Sequence, residues 1–164
     1  MDLIVDPPRG VAPVQLRMTL DEALAAVSPW GEPKVRSRRN RPSMNISTSC
    51  GGIGFQVLLE DGNRVTAIEL WSPGEGKESS TRVLLDGDDV FQTPAAEIFR
   101  RAVERGWTVD ESQVEYPLIP GVSLGFTRQT SQEVPRDSDG LPLYVTSVLV
   151  GGESYYDYRY ENSG

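Results

Sequence analysis

The sequence contains no histidine and only one cysteine among its 164 residues. Without an imidazole, the chain lacks the commonest general base and the commonest metal ligand of proteins. Ser–His–Asp and Cys–His nucleophilic systems are therefore excluded within this chain. Cys50 has no second cysteine for a C-x-x-C zinc site, and we interpret it as a buried, unreactive thiol. We predict no catalytic residue, no metal and no cofactor.

Long apolar runs are also missing, so the sequence predicts no membrane-spanning helix. The N-terminal residues 1–8 are acidic and end in Pro7-Pro8, unlike the positive start and apolar stretch of a secretory signal. A single cysteine agrees with a reducing compartment. We expect a cytoplasmic protein.

Acidic residues outnumber basic ones by 24 to 16, which gives a formal net charge of −8 and a pI near 4.6. This balance favours a basic protein partner, because opposite charge speeds encounter and helps to reject wrong partners. It disfavours nucleic acid, whose binding proteins carry a basic face and a high pI. The length predicts one domain over residues 1–164, of a size that buries about 70% of its unfolded surface.

Two helices are predicted from their end signals. Thr19 and Glu22 form a capping box before a helix over Leu20–Val27, which ends where Ser28 precedes a proline. Thr93 is the predicted N-cap of the second helix, with Pro94 as its first residue and Gly106 after its last turn.

Strands are predicted from alternating apolar residues and from turn signals. Asp61-Gly62 joins a hairpin of residues 55–59 and 65–71, because both residues tolerate the positive φ of a tight turn. A third strand covers 82–85, whereas the charged segment 32–42 is predicted to be a loop. Three more strands are predicted over residues 113–118, 122–128 and 143–150. The predicted fold class is α+β, with two short helices packed on an antiparallel sheet of six or seven strands.

The two helices have similar surroundings. Thr19 lies 12 residues before Gly31 and Thr93 lies 13 before Gly106, and each glycine adjoins a tryptophan. This spacing suggests two helix-plus-meander halves, residues 14–86 and 87–160, although two ordinary helix ends would give the same pattern.

The basic segment is the first candidate binding site. Five cations fall within residues 34–41 with no acid between them. Arginine forms paired hydrogen bonds to oxyanions, so the segment is a candidate for contact with phosphate, nucleic acid or an acidic partner. A solvated loop that pairs with the acidic body is the alternative. The candidate residues are Arg36, Arg38, Arg39 and Arg41.

The C-terminal tail holds four of the six tyrosines and is the second candidate. Tyrosine is enriched at the centres of protein interfaces. Alternation of Tyr156, Tyr158 and Tyr160 equally suits the inner face of a last strand. The candidate residues are Tyr155, Tyr156, Tyr158 and Tyr160.

Clustered carboxylates leave an enzymatic alternative open. Asp86, Asp88 and Asp89 surround one glycine, and residues 137–140 begin like a calcium loop but lack its closing glutamate. We interpret both segments as turns. A small carboxylate-dependent enzyme acting on a sugar or phosphate ester would need a pocket and a carboxylate whose pKa is raised.

The segment from Val14 to Leu24, which closes at Trp30-Gly31-Glu32-Pro33, resembles a bacterial pattern in which a strand ends at Leu-Gly-Met-Thr and Leu-Gly-x-Pro ends the unit. Modules of the β-lactamase-inhibitor-protein type and the small lipoprotein of the outer-membrane assembly machine carry this pattern, as do immunity-type proteins. Arg17 stands where the pattern has glycine. The resemblance implies a bacterial module that binds proteins, and we expect a non-catalytic cytoplasmic binding domain of the immunity or antidote type.

Overall fold

The computed structural model describes residues 1–37, 40–74, 77–153 and 155–157. These residues form the predicted α+β fold, with two short helices, α1 (Leu20–Val27) and α2 (Ala95–Glu104). The strands are β1 (Asp2–Asp6), β2 (Gly10–Val11), β3 (Val14–Gln15), β4 (Lys34–Ser37), β5 (Met44–Cys50), β6 (Ile53–Leu59), β7 (Ala67–Trp71), β8 (Arg82–Leu85), β9 (Asp88–Asp89), β10 (Leu118–Ile119), β11 (Leu124–Thr127) and β12 (Ser147–Gly151).

The strands form two sheets. The larger has the order β10-β11-β12-β7-β6-β5-β4 and is antiparallel throughout. The smaller has the order β3-β2-β1-β8-β9, and within it β1 and β8 run parallel. The core lies between the sheets and the helices, so one face of the larger sheet is buried. We call this the inner face and the opposite one the outer face.

Helix α1 begins as its end signals predict. The Thr19 hydroxyl accepts a hydrogen bond from the Glu22 N–H at 3.2 Å, and the Glu22 carboxylate accepts one from the Thr19 N–H at 3.3 Å. Ala23 and Val27 face the core. A 3₁₀ turn then brings the Trp30 ring edge-on against Phe55, with 5.0 Å between centroids. The cap therefore fixes where the helix starts, while packing supplies most of its stability.

Helix α2 begins one residue later than predicted. Pro94 is the N-cap and has extended backbone, whereas Thr93 makes no cap hydrogen bond, so that part of the prediction is wrong. The C-terminus matches the prediction: Gly106 has a φ of +90°, and the N–H groups of Gly106 and Trp107 donate to the carbonyls of Val103 and Ala102. This pair of backbone hydrogen bonds is a Schellman motif, which provides donors for the last backbone carbonyls of a helix.

Several strand predictions need correction. Residues 34–37 form β4 at an edge of the larger sheet rather than a loop, and they pair with β5, which the sequence did not predict. Of the strand predicted over 113–118, only Leu118 is extended in β10, because the preceding residues form turns. The 82–85 strand is confirmed. Strands β6 and β7 pair as the predicted hairpin does, but β7 begins at Ala67 and residues 60–66 connect the two strands, with Gly62 but not Asp61 at positive φ. The strand predicted over 143–150 begins only at Ser147, in β12. Within the described residues, neither helix is long and apolar enough to span a membrane.

Candidate functional site

The predicted basic site lies on strand β4 and the turn after it. Arg36 is exposed and lies on the outer face, where it pairs with Asn45 of β5, and Arg41 is exposed in the turn. Neither makes an ion pair with an acid among the described residues. Arg38 and Arg39 lie outside the described residues. Strand β4 thus presents its cations to solvent, as edge strands commonly do to prevent pairing with another chain.

The tail tyrosines pack against their own sheet. Tyr155 and Tyr156 form a turn rather than the strand that the alternation predicts, and Tyr158 and Tyr160 lie outside the described residues. Tyr156 is only 8% exposed, with its hydroxyl over Gly125. The Tyr155 ring covers Gly151, and its hydroxyl donates to Glu60 Oε1 at 2.5 Å. These two side chains therefore cover part of the outer face.

The acids around Gly87 are bound by arginines of α2 and its C-terminus. Arg101 donates to Asp88, which also lies 3.4 Å from Arg105 Nη2, and Arg105 contacts Asp86. These ion pairs connect the turn between β8 and β9 to the helix. Because both carboxylates face guanidinium groups of the same chain, the turn interpretation accounts for them.

The Asp137 segment is likewise a turn. The Asp137 carboxylate accepts hydrogen bonds from the N–H groups of Asp139 and Leu141 and from the buried guanidinium of Arg128, at 3.0 Å. Burial alone would raise the pKa of Asp137, but these donors together lower it. No three acidic or cysteine side chains of the described residues come together to hold a metal ion.

Cys50 is buried, as the sequence predicts. Its sulfur lies 3.5 Å from Met1 Sδ and 3.7 Å from Thr81 Oγ1, so sulfur and hydroxyl neighbours surround it. The thiol therefore fills space under the small sheet.

A groove of about 380 Å³ lies at the end of β7, and we call it the Trp71 groove. Trp71 is the last residue of β7, and its side chain lies on the outer face, where the residue is 41% exposed. Phe91 and Tyr144 complete an aromatic lining, and Gln92, Gln129 and Gln132 supply amides. Lys77 and Glu133 are the charged residues of the described lining. The groove thus combines a large accessible apolar ring with uncharged hydrogen-bonding groups.

Two neighbours fix the position of the Trp71 side chain. Gly54 lies beside it on β6, where an added Cβ would stand 3.1 Å from Trp71 Cβ. Glu69, two residues earlier on the same face, accepts a hydrogen bond from the indole. Gly54 and Glu69 therefore flank the Trp71 side chain on the outer face.

Glu69 is also the carboxyl group that the enzymatic alternative requires, since burial raises its pKa and the hydrogen bond from Trp71 only partly opposes this. However, Glu69 lines neither the Trp71 groove nor the cleft beside Trp107. A raised pKa outside a pocket does not place the group next to a substrate. Its observed contact is with Trp71, so we interpret Glu69 as a positioning residue.

Sequence reasoning missed the Trp71 groove because its lining comes from four separate segments. One local signal was available: Trp71 follows Glu69 on the polar side of the alternation and precedes Ser72-Pro73-Gly74. A tryptophan on the solvent side of a strand, next to a loop, is a candidate contact residue.

Comparisons with known proteins identify no family. No protein-family model matches the chain, and no curated protein matches it. A crystal structure of a cysteine-rich secretory protein from Staphylococcus aureus superposes with a TM-score of 0.43 at 11% identity. The superposition covers 94% of this chain and 51% of that one, so the chain spans about half the length of that protein. A similarity this low does not assign a shared fold or function.

Proposed function

We propose that this chain is a non-catalytic protein-binding domain whose partner docks on the Trp71 groove. One observation carries the proposal: an indole, 41% exposed, is held over Gly54 and by Glu69 at the mouth of a groove with aromatic lining. Tryptophan is the residue most enriched among those that dominate binding energy. Fixing it beforehand reduces the entropy that is lost on association.

The composition of the groove favours a protein partner. Interface cores are depleted of charge and enriched in aromatic residues, with polar groups at the rim. Trp71, Phe91 and Tyr144 fit such a core, and the glutamine amides are suited to hydrogen bonds with a peptide backbone. A reaction centre, by contrast, needs titratable groups that converge inside the cavity.

The charge of the chain supports a basic partner. With a formal net charge of −8, the domain attracts a basic protein over longer distances than the groove itself reaches. A cytoplasmic antidote that binds a basic toxin is the specific form of this proposal.

The test is photo-crosslinking from within the groove, followed by affinity measurement. A photoreactive phenylalanine derivative replaces Gln92 in the groove and, as the control, Val103 on the exposed side of α2. The protein crosslinked from position 92 in the native host is then purified and titrated by calorimetry. We expect Trp71→Ala to weaken its binding by about 30-fold, the loss typical of a dominant interface residue. Val103→Ala should bind like the wild type.

Two results would contradict the proposal. One is equal crosslinking yield of the same proteins from positions 92 and 103, which indicates collision without a defined site. The other is unchanged affinity of Trp71→Ala for the purified partner when its folded state is intact by circular dichroism.

A further inference from the structure

Strand β4 is an open edge of the larger sheet. It pairs with β5 on one side, and all four of its residues are exposed. In an antiparallel pair, alternate residues turn their N–H and C=O groups away from the partner strand. Among the described residues, the β4 backbone forms no hydrogen bond outside its pairing with β5. Part of its backbone is therefore available to pair with another strand.

The pairing with β5 assigns the β4 side chains to the two faces of the sheet, because successive side chains of a strand alternate. Lys34 and Arg36 lie on the outer face. Val35 lies on the inner face, since it pairs with the fully buried Ile46, yet it is itself 43% exposed. The open edge thus presents a cation, an apolar side chain and a second cation in succession.

The charges on this side of the sheet have one sign. Strands β4, β5 and β6, which the structure describes in full, carry Lys34 and Arg36 and no carboxylate. Neither cation forms an ion pair among the described residues. The acids next along the chain, or on the outer face of β7, are Glu32, Glu60, Asp61 and Glu69. Glu60 and Asp61 already accept hydrogen bonds from a tyrosine hydroxyl and from backbone N–H groups, and Glu69 lies three strands from β4.

The same cations disfavour pairing between two copies of the chain. If β4 of one copy paired with β4 of another, cations would face cations across the two strands, and like charges in opposite positions are destabilising. A strand of opposite charge meets no such repulsion. The edge therefore favours an acidic strand over a second copy of itself.

We propose that β4 pairs with an extended segment of a partner protein in which acidic and apolar residues alternate. Acids at every second position lie opposite Lys34 and Arg36, and the apolar residue between them covers Val35. Backbone hydrogen bonds to the open edge supply affinity, and the alternation supplies specificity. A nucleic acid would use the cations but neither the backbone groups nor Val35. This inference rests on residues outside the Trp71 groove and is independent of the function proposed there.

The test is an NMR titration of the isotopically labelled full chain with a peptide of about nine residues, the length of a long strand, in which glutamate alternates with valine. A matched peptide has the same composition, but its glutamates and valines come in pairs, so that its acids fall on both faces of a strand. A single-stranded oligothymidylate of similar charge is the third probe. We expect the alternating peptide to bind more tightly than either of the others.

Variants separate the edge from the net charge. Lys34→Gln/Arg36→Gln should lose about tenfold in affinity for the alternating peptide, since each exposed charge pair contributes modestly. Arg82→Gln/Arg100→Gln changes the net charge equally at two exposed residues elsewhere and should stay within about twofold of the wild type. Lys34→Glu/Arg36→Glu should instead bind an alternating peptide of lysine and valine, which also shows that this variant is folded.

Amide hydrogen exchange separates strand pairing from charge attraction alone. When a strand is added to β4, the N–H groups that point outward become hydrogen-bonded. At saturating peptide, exchange of alternate β4 amides should therefore slow by about fivefold or more.

The proposal is overturned if the wild type does not bind the alternating peptide, or binds the matched peptide equally well. It also fails if both glutamine double variants lose affinity equally, because net charge would then explain the binding, or if the β4 amides exchange at the same rate in the bound state. Tighter binding of the oligothymidylate would assign the edge to nucleic acid instead.

Discussion

Replacing Arg17 by glycine should stabilise the protein, although it removes a side chain. A left-handed conformation costs a residue with a Cβ about 1–2 kcal/mol relative to a right-handed one, and Arg17 has a φ of +73°. Relief of this cost is partly offset, by about 0.4–1 kcal/mol, because glycine gives the unfolded chain more conformational freedom. We therefore expect Arg17→Gly to raise the free energy of unfolding by about 0.5–1 kcal/mol. For a chain of this length, that corresponds to a rise in Tm of about 1–4 °C.

Denaturant unfolding of Arg17→Gly, Arg17→Ala and Gly106→Ala separates backbone strain from side-chain effects. Arg17→Ala removes the guanidinium but keeps the Cβ, so it should lie within about 0.5 kcal/mol of the wild type. Gly106 has a φ of +90° and open space around the position of an added Cβ. Gly106→Ala should therefore lower the free energy of unfolding by about 1 kcal/mol, because alanine must adopt the same left-handed conformation. The reasoning is refuted if Arg17→Gly is no more stable than Arg17→Ala.

Two further predictions concern the outer face of the larger sheet. Gly125→Ala places a Cβ 2.0 Å from the Tyr156 hydroxyl, so we expect the free energy of unfolding to fall by about 1–3 kcal/mol. The loss should be smaller in a Tyr156→Ala background, and equal losses in this double-mutant cycle would mean that Tyr156 does not pack there. Burial raises the pKa of Glu69 above 4.5, so its contribution to stability is full below that pH and is lost as the pH rises through the folded-state pKa. As the pH rises from about 4 to about 7, the Tm of Glu69→Gln should therefore increase relative to the Tm of the wild type. A Tm difference that does not change with pH would contradict this assignment.

The parts of the fold that sequence predicts best are those whose signals are local. The α1 capping box uses residues three apart, and the Schellman end of α2 requires only Gly106 after the last turn. The 82–85 strand is closed by Asp86 and Gly87, both with positive φ, which is what the turn signal requires. Each of these features is decided within a few residues, so tertiary packing did not need to be known.

Strands β4 and β5 show why other elements were missed. Lys34 and Arg36 lie on an edge strand, where charged side chains prevent pairing with another chain. The same charged composition is typical of loops, so composition alone predicts a loop here. Along β5, Ile46 is buried among polar neighbours, because the opposite side of that strand faces outward. Such strands depend on the strands with which they pair, so a short stretch of sequence is not enough to predict β4 or β5.

The candidate sites depend still more on distant residues. The sequence suggested the cations of residues 34–41 because they are adjacent, yet the structure pairs Arg36 with Asn45 of β5, a strand that the sequence did not predict. The Trp71 groove likewise joins loops that are far apart along the chain. Adjacency in sequence identified charge density, whereas the fold decides which charges face the same ligand.

The net charge is therefore an incomplete guide to the partner. Five arginines between residues 82 and 128 are paired with acids in the described structure, which reduces the positive charge available at those surfaces. Arg36 and Arg41, on strand β4 and in the turn after it, are exposed and form no ion pair with an acid among the described residues. A formal charge of −8 thus coexists with a local cationic surface, because burial and pairing distribute the charges unequally. At physiological salt, screening over about 8 Å lets the local surface govern contacts that the total charge alone would oppose.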